Sequence, residues 1–222
     1  MGKTLKLTAA DKHELGAYRA DPSGKPKGGL LVIQEIFGVN HHIRATCDKF
    51  AAAGYLAVAP ALFDRAERGI EYGYQPADIE KGRAIMQKLN LDDALKDVKA
   101  ALAVAQEGGK VGIVGYCWGG TVAWAAACRL DGLACAASYY GGGVGNLVGE
   151  KPKVPVQFHF GDKDQSIPMD TVEKVKTAHP DQALYVYSAG HGFNCDERGS
   201  YDADSAKLAL SRTLEFFGKH LG

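Results

Sequence analysis

The 222-residue sequence has no excess charge of either sign, since 26 lysines and arginines offset 26 aspartates and glutamates. It has no basic stripe and no arginine cluster, so the electrostatic footprint of a nucleic-acid-binding protein is missing. No apolar stretch approaches the roughly 20 residues that a membrane-spanning helix needs. Residues 1–7 hold neither the apolar core nor the cleavage site of a signal peptide, and Leu7 does not suit a myristoylation signal on Gly2. There is no internal repeat and no biased tract. The five cysteines (Cys47, Cys117, Cys128, Cys135 and Cys195) are odd in number, and no two are spaced as C-x-x-C. That excludes a disulfide framework and a zinc knuckle, and predicts a reduced, cytoplasmic protein.

What the sequence has in quantity is glycine. The 28 glycines fall mainly between short apolar runs, where the strand-to-helix turns of an α/β protein need them. Strands are expected over residues 5–8, 15–19, 29–34, 55–59, 110–114, 134–139, 155–160 and 183–187, with Pro60 stopping the fourth. Helices are expected over 41–53, 76–89, 92–106, 120–128, 169–178 and 202–220, with Gly54 capping the first. Residues 62–74 read as irregular and 141–149 as a flexible loop. Continuous apolar runs such as 29–34 mark strands buried on both faces, and their alternation with helices matches parallel crossovers. The expected fold is a single domain over residues 1–222: α/β, three layers, with a mostly parallel central sheet and helices on both faces. In such sheets ligands sit beyond the carboxyl ends of the strands.

The most informative segment lies at one of those ends. Gly115-Tyr116-Cys117-Trp118-Gly119 follows an apolar run and precedes a helical one. Strand, tight turn, helix is the setting in which G-x-S-x-G forms a nucleophile elbow. Here the central residue is cysteine, which a helix N-terminus favours as a thiolate. Taken alone, Cys117 reads equally as a buried structural cysteine. Its prospective partners follow later strands. Asp164 lies in Gly161-Asp162-Lys163-Asp164, where Asp162 suits turn chemistry and Asp164 lies further into the loop. His191 sits between Gly190 and Gly192 after the last strand, free to reach a neighbouring loop. Nucleophile, acid, base is the chain order of α/β-hydrolases. His191 would take the thiol proton, and Asp164 would fix its tautomer. Glu35 ends the buried run 31–38 and would lie under the site, either as a functional carboxylate or as half of a structural ion pair. The amides of Ile36 (or Phe37) and Trp118 are candidates for an oxyanion hole.

With these segments in place, the chain resembles the dienelactone hydrolase family. The resemblance rests on Gln34-Glu35-Ile36-Phe37-Gly38-Val39-Asn40, Gly112-Ile113-Val114-Gly115-Tyr116-Cys117-Trp118-Gly119-Gly120 and Tyr139-Tyr140-Gly141. Asp164 with Ile167-Pro168, and Ala189-Gly190-His191-Gly192-Phe193, complete it in the same order. It implies an α/β-hydrolase fold, a Cys117-His191-Asp164 triad without a cofactor or metal, and Glu35 as a modulator of the thiol. It further implies a resting cysteine held near Glu35 until substrate moves the glutamate. The implied substrate is a dienelactone (a carboxymethylenebutenolide), hydrolysed to a maleylacetate-type acid in the breakdown of chlorinated aromatics. The chain departs from the family at the arginines that hold the substrate carboxylate. The arginine expected shortly after the histidine is absent, and the nearest is Arg198. In the 76–89 helix, Lys81 or Arg83 could serve as the other. Tyr72 and Tyr74 could line the pocket or simply pack on their loop.

The expected activity is therefore hydrolysis of a small lactone or ester, carboxylated where the resemblance holds, through an acyl-enzyme. Two other readings share the sequence: a broader carboxylesterase or thioesterase with the same three residues, and a redox-responsive or binding protein without turnover. A metal site at His41, His42 and Cys47 is disfavoured, because neighbours in a row on a helix start do not converge on one ion. The expected partner is a small molecule, with no nucleic acid and no membrane; the oligomeric state is left open.

Overall fold

The computed structural model describes residues 2–222, so Met1 of the N-terminal stretch lies outside the described residues. Eight strands form one sheet: β1 (Lys3–Thr8), β2 (Glu14–Ala20), β3 (Gly29–Ile33), β4 (Leu56–Pro60), β5 (Val111–Tyr116), β6 (Leu133–Tyr139), β7 (Val156–Gly161) and β8 (Ala183–Tyr187). Their spatial order is β1-β2-β4-β3-β5-β6-β7-β8. The β1–β2 and β2–β4 pairs are antiparallel and the others parallel. Every residue of β3, β4 and β5 is buried, as expected for parallel strands covered on both faces.

The helices are α1 (His41–Ala52), α2 (Pro76–Met86), α3 (Leu91–Ala105), α4 (Trp118–Arg129), α5 (Met169–Ala178) and α6 (Ala203–Leu221). The α3 and α4 helices pack on each other and on the central strands. Phe50 of α1 meets Phe217 of α6 edge-on at 6.1 Å, so these two share a layer. No helix among the described residues is long and apolar enough to cross a membrane.

Several boundaries differ from those read in the sequence, each for a local reason. Pro60 does not stop β4 but ends it, paired with Ala17 of β2. A proline can occupy a strand terminus, where one missing N–H is tolerated. The β5 strand runs on to Tyr116, and α4 begins at Trp118, leaving Cys117 alone to turn the chain. Within 62–74, Leu62–Arg65 forms a short 3-10 turn whose first two residues are buried. The 141–149 segment is not free either. It contains a 3-10 turn, Gly142–Asn146, with Val144 buried. The Trp124 indole N–H donates to the Leu147 carbonyl at 3.3 Å, and the His179 ring bonds the Val148 carbonyl at 3.0 Å.

Strand order reverses at the centre of the sheet. After β3 the chain moves outward to β4, then returns across β3 to β5. Such a switch point opens a crevice beyond the carboxyl ends of the strands. Ile33 pairs with Gly115, so Gln34-Glu35-Ile36 leaves the sheet beside Tyr116-Cys117-Trp118.

Candidate active site

Cys117 adopts φ 56° and ψ −121°, a conformation that costs a side-chain-bearing residue about 1–3 kcal/mol. The flanking glycines make it possible. A Cβ on Gly115 would fall 1.9 Å from the Gly119 carbonyl oxygen, and one on Gly119 would fall 2.4 Å from that of Gln34. The elbow is further held by the Cys117 amide, which donates to the Tyr139 carbonyl at 3.0 Å. Its sulfur therefore projects into the crevice at the first turn of α4.

The later strands deliver two more side chains to that sulfur. His191 Nε2 lies 3.1 Å from Cys117 Sγ. On the other side of the ring, Nδ1–H donates to Asp164 Oδ2 at 2.7 Å. The carboxylate is fixed in turn, because Asp164 Oδ1 accepts from the amides of Ser166 at 2.8 Å and Ile167 at 3.2 Å. The turn chemistry expected of Asp162 is thus done by Asp164, while Asp162 is exposed. Burial alone pulls the His191 imidazolium down; the Cys117 sulfur and the Asp164 carboxylate outweigh it and leave the ring at about 10.

Glu35 is 1% exposed and forms an ion pair with Arg198 Nη1 at 3.0 Å. Its other oxygen, Oε2, has no protein partner among the described residues. Thiol and glutamate do not form the resting pair that the family resemblance implied: Cys117 engages His191, and Glu35 engages Arg198. The guanidinium also lies 5.6 Å from the Phe37 ring centre and 6.0 Å from that of Tyr74, close enough for cation–π attraction. Its path crosses Gly192, where φ is +78° and a Cβ would come within 2.4 Å of Arg198 Nη1. The loop after His191 therefore brings an arginine into the site from a more distant position than the one expected.

A pocket of about 370 Å³ opens over the sulfur. Ile36, Phe37, Ile79, Met86 and Trp118 give it apolar walls, and Arg83 and Arg198 reach it from α2 and from the 192–201 loop. Lys81 is not brought to it; this lysine is exposed, with its ammonium 6.0 Å from the Tyr72 ring centre. Tyr72 and Tyr74 are not in the lining but pack behind it against the Ile36–Phe37 cluster. Tyr74 meets Phe37 edge-on at 4.7 Å, and its hydroxyl accepts from Asn40 Nδ2 at 3.0 Å. Ile36 follows β3 and Trp118 opens α4, and both candidate oxyanion-hole residues line the pocket beside Cys117. His41 and His42 are engaged elsewhere, with Glu197 at 2.5 Å and Asp196 at 3.1 Å. His42, Asp196 and Glu197 have potential ligand atoms within 4.8 Å of one another, but Cys47 is fully buried in the main core and takes no part.

Sheet topology, elbow and pocket together define an α/β-hydrolase. The sequence profile of the Dienelactone hydrolase family matches residues 15–221, and the chain belongs to that family. A "Putative carboxymethylenebutenolidase" of Synechocystis sp. is 33% identical over 241 residues, spanning 99% of this chain and 98% of the relative. Another protein of that name, from Yersinia pestis, is 36% identical over 232 residues, spanning 93% of this chain and 84% of the relative. Among solved structures, a "Putative Dienelactone Hydrolase from Klebsiella pneumoniae" superposes with a TM-score of 0.83 at 31% identity, covering 98% of this chain and 99% of its own.

Proposed function

We propose that this protein is a cysteine-dependent hydrolase that opens a small lactone or ester of the dienelactone type through a thioester intermediate. The observation that carries the reading is the His191 ring, bonded to Cys117 at one nitrogen and to Asp164 at the other. The sulfur attacks the carbonyl carbon while its proton resides on His191 Nε2, and the carbonyl oxygen becomes an oxyanion held by the Ile36 and Trp118 amides. Collapse of this intermediate breaks the acyl C–O bond. The leaving oxygen takes the proton from His191 and the acyl group stays on sulfur. His191 then deprotonates a water, which attacks the thioester and releases the acid and the thiol. One water is consumed per bond cleaved, and no redox change occurs. Asp164 stabilises the imidazolium throughout.

Arg83 and Arg198 are the groups suited to a substrate carboxylate, with Arg198 offering a bidentate fork if it turns from Glu35. The relatives' name, "Putative carboxymethylenebutenolidase", is in keeping with a carboxylated lactone as the substrate. Five free cysteines suit a reducing, cytoplasmic setting. A broader carboxylesterase activity is favoured by one observation: Arg198 is already neutralised by Glu35, and the remaining walls are mostly apolar.

The test is Cys117→Ala assayed with dienelactone and with 4-nitrophenyl acetate. The variant is expected to stay folded and to lose at least about 10³-fold in kcat. Full turnover without the sulfur would eliminate the mechanism. The ratio of the two wild-type kcat/KM values separates a dienelactone hydrolase from a general esterase.

A further inference from the structure

The pocket has two sides, set by sheet order. On one side of Cys117, the segment after β3 supplies Ile36 and Phe37, and α2 adds Arg83. On the other, the turn after β6 supplies Gly142 and Gly143, and the loop after β7 supplies Ser166 and Ile167. The second side carries no charged side chain in its lining.

Most glycines on this second side are demanded by packing. A Cβ on Gly141 would lie 2.8 Å from Ser138 Oγ, one on Gly143 would lie 2.6 Å from Thr121 Cγ2, and one on Gly145 would lie 2.4 Å from Thr171 Cγ2. Gly142 differs. Its φ is not in the left-handed region, it opens a 3-10 turn, and its Cβ would meet nothing closer than Ile167 Cγ1 at 3.5 Å, an ordinary contact. Ile167 itself lines the pocket. Neither backbone conformation nor packing requires glycine here. Gly142 lines the pocket, so what the missing side chain provides is open space there.

We infer that Gly142 is a specificity-determining residue, which leaves room for an uncharged substituent larger than methyl on the side of the scissile bond facing β6 and β7. This inference rests on the hydrolase reading above. It assigns the two sides different chemistry: an anionic group toward Arg83 and Arg198, and a neutral alkyl, alkenyl or aryl group toward Gly142 and Ile167. Within 4 Å a Cβ at position 142 would meet only Ile167, so a side chain there does not start out against the sulfur, the imidazole or either arginine.

Gly142→Ala and Gly142→Val are tested against two neutral series. In one the acyl group grows from acetate to butyrate to octanoate as 4-nitrophenyl esters. In the other the alcohol grows from methyl to butyl to phenyl as acetates. Both variants are expected to keep or raise Tm, because glycine adds chain entropy to the unfolded state. In one series, Gly142→Val is expected to lower kcat/KM at least tenfold for the largest member and less than twofold for the smallest. Gly142→Ala is expected to give a smaller loss in the same order, and it carries the test if the valine variant does not fold. The series affected identifies which portion of the ester lies by Gly142. An equal factor across every member, or a wild type that accepts only the smallest member of each series, would overturn the inference while leaving the hydrolase intact. A wild type that cleaves none of these esters and no dienelactone would overturn the hydrolase reading itself.

Discussion

Replacing Arg198 by methionine isolates what the Glu35–Arg198 ion pair contributes. At 3.0 Å and an effective dielectric of 20, the attraction is about 5.5 kcal/mol before desolvation is subtracted. The two partners do not share that desolvation equally: the Glu35 side chain is 1% exposed and that of Arg198 is 15%. Arg198→Met would leave a buried carboxylate with no protein partner at either oxygen, because Oε2 already lacks one. Breaking a buried pair in this way costs about 3–5 kcal/mol. For a chain of this length each kcal/mol lowers Tm by about 2–4 °C, so a drop of roughly 6–20 °C is expected. Glu35→Gln should cost less, since the amide oxygen still accepts from Arg198 and the guanidinium keeps its Phe37 and Tyr74 neighbours. In the double variant no buried charge is stranded, and most of the Arg198→Met loss should return.

The assay is urea unfolding of the four proteins, followed by tryptophan fluorescence and far-UV circular dichroism to check two-state behaviour. The coupling energy of the cycle is expected to exceed about 2 kcal/mol. A value below about 0.5 kcal/mol would refute the reasoning, because the carboxylate would then be served equally well without the arginine. The same four proteins test the proposed role in substrate binding. If Arg198 recognises an anionic group, its removal raises KM for carboxylated lactones and leaves KM for neutral acetates nearly unchanged. A purely structural arginine would shift both together.

Two further outcomes follow from charges elsewhere in the fold. His191, raised from an ordinary 6.5 to about 10, contributes stability that is complete below pH 6.5 and is lost as pH climbs through 10. NMR titration of the ring should give a value near 10 in the wild type and a lower one in Cys117→Ala, which removes a group that raises it; an unchanged value in the variant would contradict the assignment. Arg65 binds the fully buried Asp97 through Nε at 2.7 Å and Nη2 at 2.8 Å, and also reaches Asp11 in the β1–β2 turn. Arg65→Met should therefore lower unfolding stability by about 3–5 kcal/mol in urea titrations, whereas a loss under 1 kcal/mol would show that Asp97 finds another partner.

How far the sequence could be read depended on whether a feature is local. The strands were visible because parallel burial makes each one a continuous apolar run, and the elbow because glycines flank Cys117 within a single turn. Cys117, Asp164 and His191 were each placed just after a strand end, and the sheet brings them within hydrogen-bonding distance. The pairing of particular loop side chains was less readable. Arg198 reaches Glu35 across 163 positions, and its approach depends on the left-handed backbone of Gly192 and on the Ser200 hydroxyl holding the His191 carbonyl at 2.6 Å. Nothing in the spacing from His191 announces that the loop folds back on itself. The division of labour between Asp162 and Asp164 has the same origin: both suit a turn, and only the amides of Ser166 and Ile167 decide which carboxylate is locked. Arg83 and Lys81 lie two positions apart on α2 and so cannot share its face, yet the helix phase relative to Cys117 is a tertiary quantity. The groups proposed here for substrate recognition depend on loop and helix placements that strand periodicity does not encode. That is why the reacting groups were easier to locate than the arginines that would choose their substrate.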